Sequence, residues 1–436
     1  MEHWGNLNIN KKGHLMLGGC DALDLATQFG TPLYVMEEDV IRRVCRGYTT
    51  AIGGYKGGGK ALFAGKAFLN TAMCRIIESE GMGLDVVSGG ELYVAINAGF
   101  NLENVYLHGN NKTPDDLTMA VDAGIGRIVI DSASEIGLLA RIAKELGKVQ
   151  DVSIRIKPGI EAHTHEYIKT GQVDSKFGFG IGDGQGMQAV KDILAQPSLN
   201  LVGMHCHIGS QIFELQPFRD AVRVMLDYLL IVKKKTGFAF AEINFGGGYG
   251  IHYIKDDAPL RPNEYVKTML SELTALCEEK DTDLPFFVIE PGRSIVGEAG
   301  TTLYTVGDIK TIPDIRTYVS VDGSMADNPR PALYQAKYTC ALAGKMTSPD
   351  ETVVSIAGRT CESGDMLIWN ATLPKAEAGD VLAVFSTGAY NYSMASNYNK
   401  LPHPAVVLVK DGRSELMVRR QSYADLIRND VIPSWL

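Results

Sequence analysis

The chain has 436 residues, more than one ordinary domain, with 45% hydrophobic and 21% charged residues and a formal net charge of −9; this is the balance of a soluble, two-domain globular protein. That acidity argues against a nucleic-acid or anionic-membrane partner, and no apolar run reaches the roughly 18 residues needed to span a bilayer. Seven scattered cysteines (Cys20, Cys45, Cys74, Cys206, Cys277, Cys340 and Cys361), with no CxxC spacing, read as reduced thiols rather than a disulfide framework or a zinc site.

The opening MEHWGNLNINKKGHLML has no apolar stretch behind a basic start, so no secretory signal is expected and a cytoplasmic location is. The first helical stripe is Ile41, Val44, Cys45 and Tyr48, at i, i+3, i+4, i+7 spacing. Eight strand candidates follow: Ala61–Ala67, Gly83–Ser88, Val105–Gly109, Arg127–Asp131, Val152–Pro158, Leu201–Ile208, Glu242–Gly246 and Phe286–Glu290. Between them lie helical segments such as Glu135–Leu146, with Ile136, Leu139, Ala143 and Leu146 on one face, and Phe218–Val232, which ends in a lysine-rich turn suited to a helix C-terminus.

Strands alternating with helices imply a parallel sheet, and eight such units match a closed (β/α)₈ barrel. An open doubly wound sheet would have fewer strands, and no GxGxxG opens an early helix. The barrel is expected over 36–297. Beyond it, Thr302–Val306, Tyr318–Asp322, Thr352–Ile356, Val381–Phe385, Val406–Val409 and Leu416–Arg419 are β-branched and apolar, separated by Gly, Pro, Asp and Asn. Residues 298–436, with 1–35, are therefore expected to form a mostly antiparallel β domain, to which HLMLGG adds a strand.

Lys66, His108, Asp131, His207, Gly246 and Glu290 each stand at or near the C-terminal end of a different strand, where barrel active sites are built. Lys66, in ALFAGKAF, has two readings: a lysine snorkelling from the rim, or an amine kept reactive by desolvation and suited to forming an imine. Phe245–Gly250 (FGGGYG) follows a strand, so its backbone N–H groups can converge on a phosphate, and HIGSQ adds the hydroxyl of Ser210. The glycines of Lys56–Lys60 read as a solvated loop. EPGRS sets Glu290 beside Arg293; a carboxylate against a pyridine nitrogen keeps that ring protonated, an electron sink. Together these features suggest pyridoxal phosphate.

The series FAGKAF, LDVVSGGELY, HGNNK, GIEAHTHEYIKTGQVDSKFGF, HCHIGSQ, NFGGGYG, EPGR, NPRPALYQA, CESGD and STGAYNYSMASNYN, in order from about residue 10 to 425, resembles the diaminopimelate decarboxylases. These are fold-type III pyridoxal-phosphate enzymes that make L-lysine from meso-2,6-diaminopimelate on a barrel plus a β domain. The resemblance implies that Lys66 is the Schiff-base lysine and Glu290 the partner of the pyridine nitrogen. It implies that His207 stacks on the cofactor ring and that Ser210 with Gly246, Gly247 and Gly248 holds the phosphate. Asp85, His108, Pro291, Gly292, Arg293 and Tyr390 then belong to the cofactor pocket, and Arg293, Arg330, Tyr334, Glu362 and Tyr390 to the substrate. An arginine fork suits the carboxylate that is retained.

By the same resemblance Cys361 protonates the carbanion, Glu362 contacts the distal amine, and both come from the partner subunit of a homodimer with shared sites. Taken alone, Cys361 could equally be an inert buried thiol. Cys206 faces away from His207 by strand alternation and is read as structural. Glu161, His163 and His165 mimic a metal spacing but are read as a loop at the barrel mouth, so no metal is assigned. The chain departs from the pattern at Ser324, where glycine is common, and Ala326, where asparagine is expected, both near Arg330. Three rivals are weighed: a decarboxylase acting on ornithine, arginine or carboxynorspermidine, which would have no use for Arg330 with Glu362; an amino-acid racemase, against which EPGR counts; and a non-catalytic pyridoxal-binding barrel, which would lack CESGD.

Overall fold

Eight apolar runs pair side by side, all parallel: β1 (Gly59–Ala64), β2 (Gly83–Val86), β3 (Val105–Leu107), β4 (Arg127–Ile130), β5 (Gln150–Lys157), β6 (Leu199–His205), β7 (Glu242–Asn244) and β8 (Phe286–Ile289). β8 returns to β1 in the register Val288–Lys60 and Ile289–Ala61, which closes the expected barrel. A short strand, Phe179–Gly180, pairs along the outer end of β5. This is a computed structural model, and it describes residues 8–160 and 175–436.

The connecting helices begin where the sequence supplies caps. Asn70 accepts from the Met73 amide at the start of Thr71–Ser79, and Ser88 from Glu91 at the start of Gly89–Asn97. Thr113 and Asp116 form a capping box around Pro114–Ala123, which stops at Gly124 with φ 71°. The first helical stripe lies in Glu38–Gly53, with Ile41, Cys45 and Tyr48 fully buried. Gln216–Thr236 ends in Lys233, Lys234 and Lys235, whose charges oppose the C-terminal end of the helix dipole.

Inside the lower barrel Tyr106 donates to Glu242 (2.8 Å), and Arg127 both pairs with Glu242 (3.1 Å) and lies over the Tyr106 ring. Several strands end sooner than the hydrophobic runs do. β1 stops at Ala64, so Lys66 sits on a 3₁₀ turn (Gly65–Ala67), and β6 stops at His205, so His207 belongs to the loop above it.

The chain divides into two compact units: Arg42–Ile251 with Ala258–Ile295, and the described residues up to Ile41 with His252–Asp257 and Val296–Leu436. The second unit is built on the strand Gly300–Ile312, which pairs antiparallel with Arg316–Val321, Val381–Val384 and Leu33–Glu37. Leu33–Glu37 also runs parallel to Ala405–Lys410, which turns back as Arg413–Val418. HLMLGG does not join this sheet: Leu15–Leu17 pairs with Asn8–Ile9 and Cys20–Asp21 in a small sheet of its own. Leu15 and Leu17 still reach the main core, packing with Leu303, Ala343, Val407 and Val409. Among the described residues, the strands the sequence reading overlooked are Leu33–Glu37, Cys340–Leu342 and Met366–Leu373, besides the short pieces Asn8–Ile9, Cys20–Asp21 and Phe179–Gly180.

Candidate active site

The C-terminal ends of β1, β2, β3, β6, β7 and β8 supply the barrel's chemical groups. Glu290, one residue beyond β8, is buried. Its Oε1 accepts from Asn244 Nδ2 (2.6 Å) and lies 2.8 Å from His108 Nε2, while Oε2 lies 3.1 Å from His205 Nε2. Burial alone would raise its pKa, yet the facing imidazoles of His108 and His205 hold it well below the usual carboxylate range, so it is an anion. His205 is pushed down to about 3, burial outweighing the pull of Glu290, and is therefore neutral at pH 7. His207 is also driven down, by burial first and then by the charges of Lys66 and Arg155.

Asn244 links this carboxylate to the glycine run: its Oδ1 accepts from the Gly246 amide (2.9 Å), and the Glu290 amide donates to the Gly246 carbonyl (2.8 Å). The turn admits only glycine. A Cβ on Gly247 would stand 2.2 Å from the Glu290 carbonyl oxygen, and one on Gly248, at φ 108°, 2.4 Å from that of Gly209. His207 Nδ1 accepts from the Gly247 amide (3.3 Å), and Arg293 donates to Ser210 Oγ (2.9 Å), so HIGSQ, FGGGYG and EPGR are tied into one rim. Pro291 and Gly292 close it against β1, Pro291 accepting from the Ala64 amide (3.1 Å).

Across the barrel Asp85 is buried, with His108 Nε2 3.8 Å away and, among the described residues, no hydrogen-bond partner for its own Oδ1. Burial raises its pKa, against the opposing pull of His108. Lys66 is exposed on its turn rather than buried in a strand, so the desolvation argued from ALFAGKAF does not describe it. Its charge nonetheless acts on Asp85, His207 and Glu91; Glu91, raised by burial to about 7, went unnoticed in the sequence. So did the support beneath His108. Lys112 donates to the Gly109 and Val129 carbonyls and to Glu135 (2.8, 2.7 and 2.7 Å), and Asp131 accepts from the amide of Gly178 in SKFGF (3.0 Å). Glu161, His163 and His165 lie outside the described residues.

In the other unit Arg330 is buried against three tyrosines. It donates to Tyr253 (2.7 Å) and Tyr338 (3.1 Å) and lies within 6 Å of the ring centres of Tyr253, Tyr338 and Tyr390. Tyr390 adopts a positive φ of 63°, and Tyr334, half-buried, ends the short helix Arg330–Tyr334. Ser324 and Ala326 fit their loop, Ser324 Oγ accepting from the Ala326 amide (3.0 Å). Cys361 and Glu362 are exposed, which removes the buried-thiol reading of Cys361. Their loop is held by Asp365, which accepts from the amides of Met325 (2.6 Å) and Thr360 (2.9 Å).

The residues of the barrel rim fit a phosphorylated pyridine. A glycine turn that any Cβ would fill stands beside Ser210 and Arg293, and a buried carboxylate with neutral donors stands ready for a ring nitrogen. His108, His205 and Glu290, whose ligand atoms lie within 4.8 Å of one another, could also grip a cation. The comparisons favour the ring. Residues 38–297, more than half of the chain, match the family described as pyridoxal-dependent decarboxylase, pyridoxal binding domain. Over 429 residues the chain is 49% identical to diaminopimelate decarboxylase of Bacillus subtilis, covering 98% of this chain and 97% of that one. It is 48% identical over 427 residues to the Halalkalibacterium halodurans enzyme of the same name, with the same coverage. The crystal structure of diaminopimelate decarboxylase from M. jannaschii in complex with L-lysine superposes with a TM-score of 0.92 at 37% identity, covering 99% of both chains.

Proposed function

This chain belongs to the diaminopimelate decarboxylase family, and from that premise we propose that it decarboxylates meso-2,6-diaminopimelate to L-lysine and carbon dioxide with pyridoxal phosphate held at the barrel rim. The observation that carries the reading is Glu290: a buried carboxylate kept anionic by imidazole and amide donors, on the same rim as the glycine turn and Lys66. When bound, pyridoxal phosphate supplies a conjugated sink for the electron pair that carbon dioxide leaves behind.

The chain's own residues do the rest. Lys66 supplies the amine that anchors the cofactor's aldehyde carbon. Glu290 keeps the pyridine nitrogen protonated. His207 offers its ring face to the cofactor, while Ser210, Gly246, Gly247 and Gly248 hold the phosphate. Asp85, His108, Pro291, Gly292, Arg293 and Tyr390 complete the pocket. Arg330, kept charged and oriented by its tyrosines, binds the carboxylate that is retained, with Tyr334 beside it. Cys361 returns a proton to the carbon that lost carbon dioxide, and Glu362 receives the distal amine. The family resemblance assigns Cys361 and Glu362 to the site of a second copy in a cytoplasmic homodimer, and their exposure on a loop anchored by Asp365 is compatible with that role.

The test is carbon dioxide release from meso-diaminopimelate compared with the LL isomer, ornithine and arginine. The reading requires turnover of the meso compound far above the others; equal or faster release from ornithine or arginine overturns it.

A further inference from the structure

We propose that His205 is a positioning residue for Glu290, an uncharged N–H donor that fixes the plane of the carboxylate which faces the pyridine nitrogen. This rests on the assignment of Glu290 above. A glutamate carboxylate rotates freely about its last bond unless both oxygens are held. Here Asn244 takes Oε1 and His205 takes Oε2, from two different strands. His205 ends β6 with its Nε2 3.1 Å from Glu290 Oε2, whereas His207 stands two residues on, in the loop above the strand.

The side chain of His205 is 1% exposed, and its ring lies edge-on to that of His108 with centroids 4.7 Å apart, which prevents it from swinging off Glu290. Among the described residues, Nδ1 of His205 has no hydrogen-bond partner. The proton of the neutral ring therefore belongs on Nε2, where Glu290 accepts it. A lysine or arginine in this position would neutralise Glu290. A neutral imidazole orients it and leaves its charge for the ring nitrogen.

The experiment measures binding of pyridoxal phosphate and of its 1-deaza analogue, which lacks the ring nitrogen, to apoenzyme of wild type, His205→Leu, His205→Gln and Glu290→Gln. His205→Leu should weaken pyridoxal phosphate by about 10- to 100-fold, the equivalent of one hydrogen bond to a charged group, and change the deaza analogue by less than about threefold. His205→Gln, which restores a neutral donor, should recover most of the affinity. With the reconstituted enzyme, kcat should fall while KM for diaminopimelate holds. Equal weakening of both probes by His205→Leu would make His205 a packing residue and overturn the proposal, as would undiminished affinity for pyridoxal phosphate. If the leucine variant does not fold, His205→Ser, too short to reach Glu290, carries the same comparison. Glu290→Gln separates the premise: if it does not discriminate between the probes, the assignment of Glu290 fails whatever His205 does.

Discussion

Glu290→Gln isolates charge from shape. In the wild type, Oε1 faces Asn244 and His108, and Oε2 faces His205. A glutamine can keep its oxygen toward Asn244 and turn its amide toward His205. His205, already neutral with a spare Nδ1, can move its proton there and accept at Nε2. All the hydrogen bonds survive, and a buried charge is removed, so folding stability should change by no more than about 1 kcal/mol. Glu290→Ala is different: it strands the Asn244 and His205 donors in a buried site, at about 1–3 kcal/mol each. Catalysis should separate the other way. Without the carboxylate the pyridine nitrogen loses its counter-charge, and kcat should fall on the order of 10²–10³, the usual loss when one preorganised electrostatic partner is removed. Denaturant melts of the apoenzymes and single-turnover carbon dioxide release with saturating cofactor give the two numbers. Wild-type turnover by Glu290→Gln would remove the sink role. A glutamine variant less stable than the alanine variant would refute the hydrogen-bond inventory.

Three further outcomes follow from the same structure. Lys112→Met leaves Glu135 buried without its cation and should cost about 3–5 kcal/mol in a denaturant melt, much of it recovered in Lys112→Met/Glu135→Leu; an unaltered single variant would contradict the pairing. His205 has a folded pKa of about 3 against an ordinary 6.5, so the unfolded chain binds the extra proton and stability is lost as pH falls below about 6.5. Between pH 7 and pH 5 this amounts to roughly 2 kcal/mol, and denaturant midpoints of His205→Gln should show a correspondingly shallower decline. Arg330→Met should raise KM for diaminopimelate by about 10- to 100-fold while leaving cofactor absorbance unchanged; steady-state kinetics and a visible spectrum check it.

The barrel was legible because its signal is repetitive: eight apolar runs, each followed by helical period, leave few topologies. The rim was legible where a residue type is odd for its setting, as with glycines that tolerate no Cβ or a glutamate at the end of an apolar strand. What escaped notice was support. Lys112, Asn244, His205 and Asp365 touch no substrate in the proposed mechanism, and each looks ordinary in sequence. Their meaning lies in partners 23 to 85 residues distant along the chain, or across a loop as with Met325 and Asp365, 40 residues apart. HLMLGG supplies a strand to the β unit as expected, but its sheet partners were not legible, because alternation says that Leu15 and Leu17 face a core and not which strand lies beside them. Lys66 stayed open between a rim lysine and a desolvated amine because the apolar run continues past Ala64, where the ladder ends and the side chain is exposed.

The barrel also contains its own control for the role given to Glu290. Glu242, near the opposite end, is likewise a buried carboxylate inside a ring of parallel strands. It is matched by a full positive charge, Arg127, and by the Tyr106 hydroxyl. That arrangement closes the ion pair within the protein, so Glu242 has no charge left to offer. Glu290 is satisfied instead by an amide and by imidazoles, of which His205 is neutral. Neutral donors stabilise an anion without cancelling it, and a carboxylate held this way gains further from any cation brought against it in a low-dielectric site. Two glutamates in one barrel, with similar burial, thus differ in whether their charge is spent on the fold or kept for a ligand. The difference is set by which partner faces each carboxylate: a guanidinium below, an imidazole at the rim.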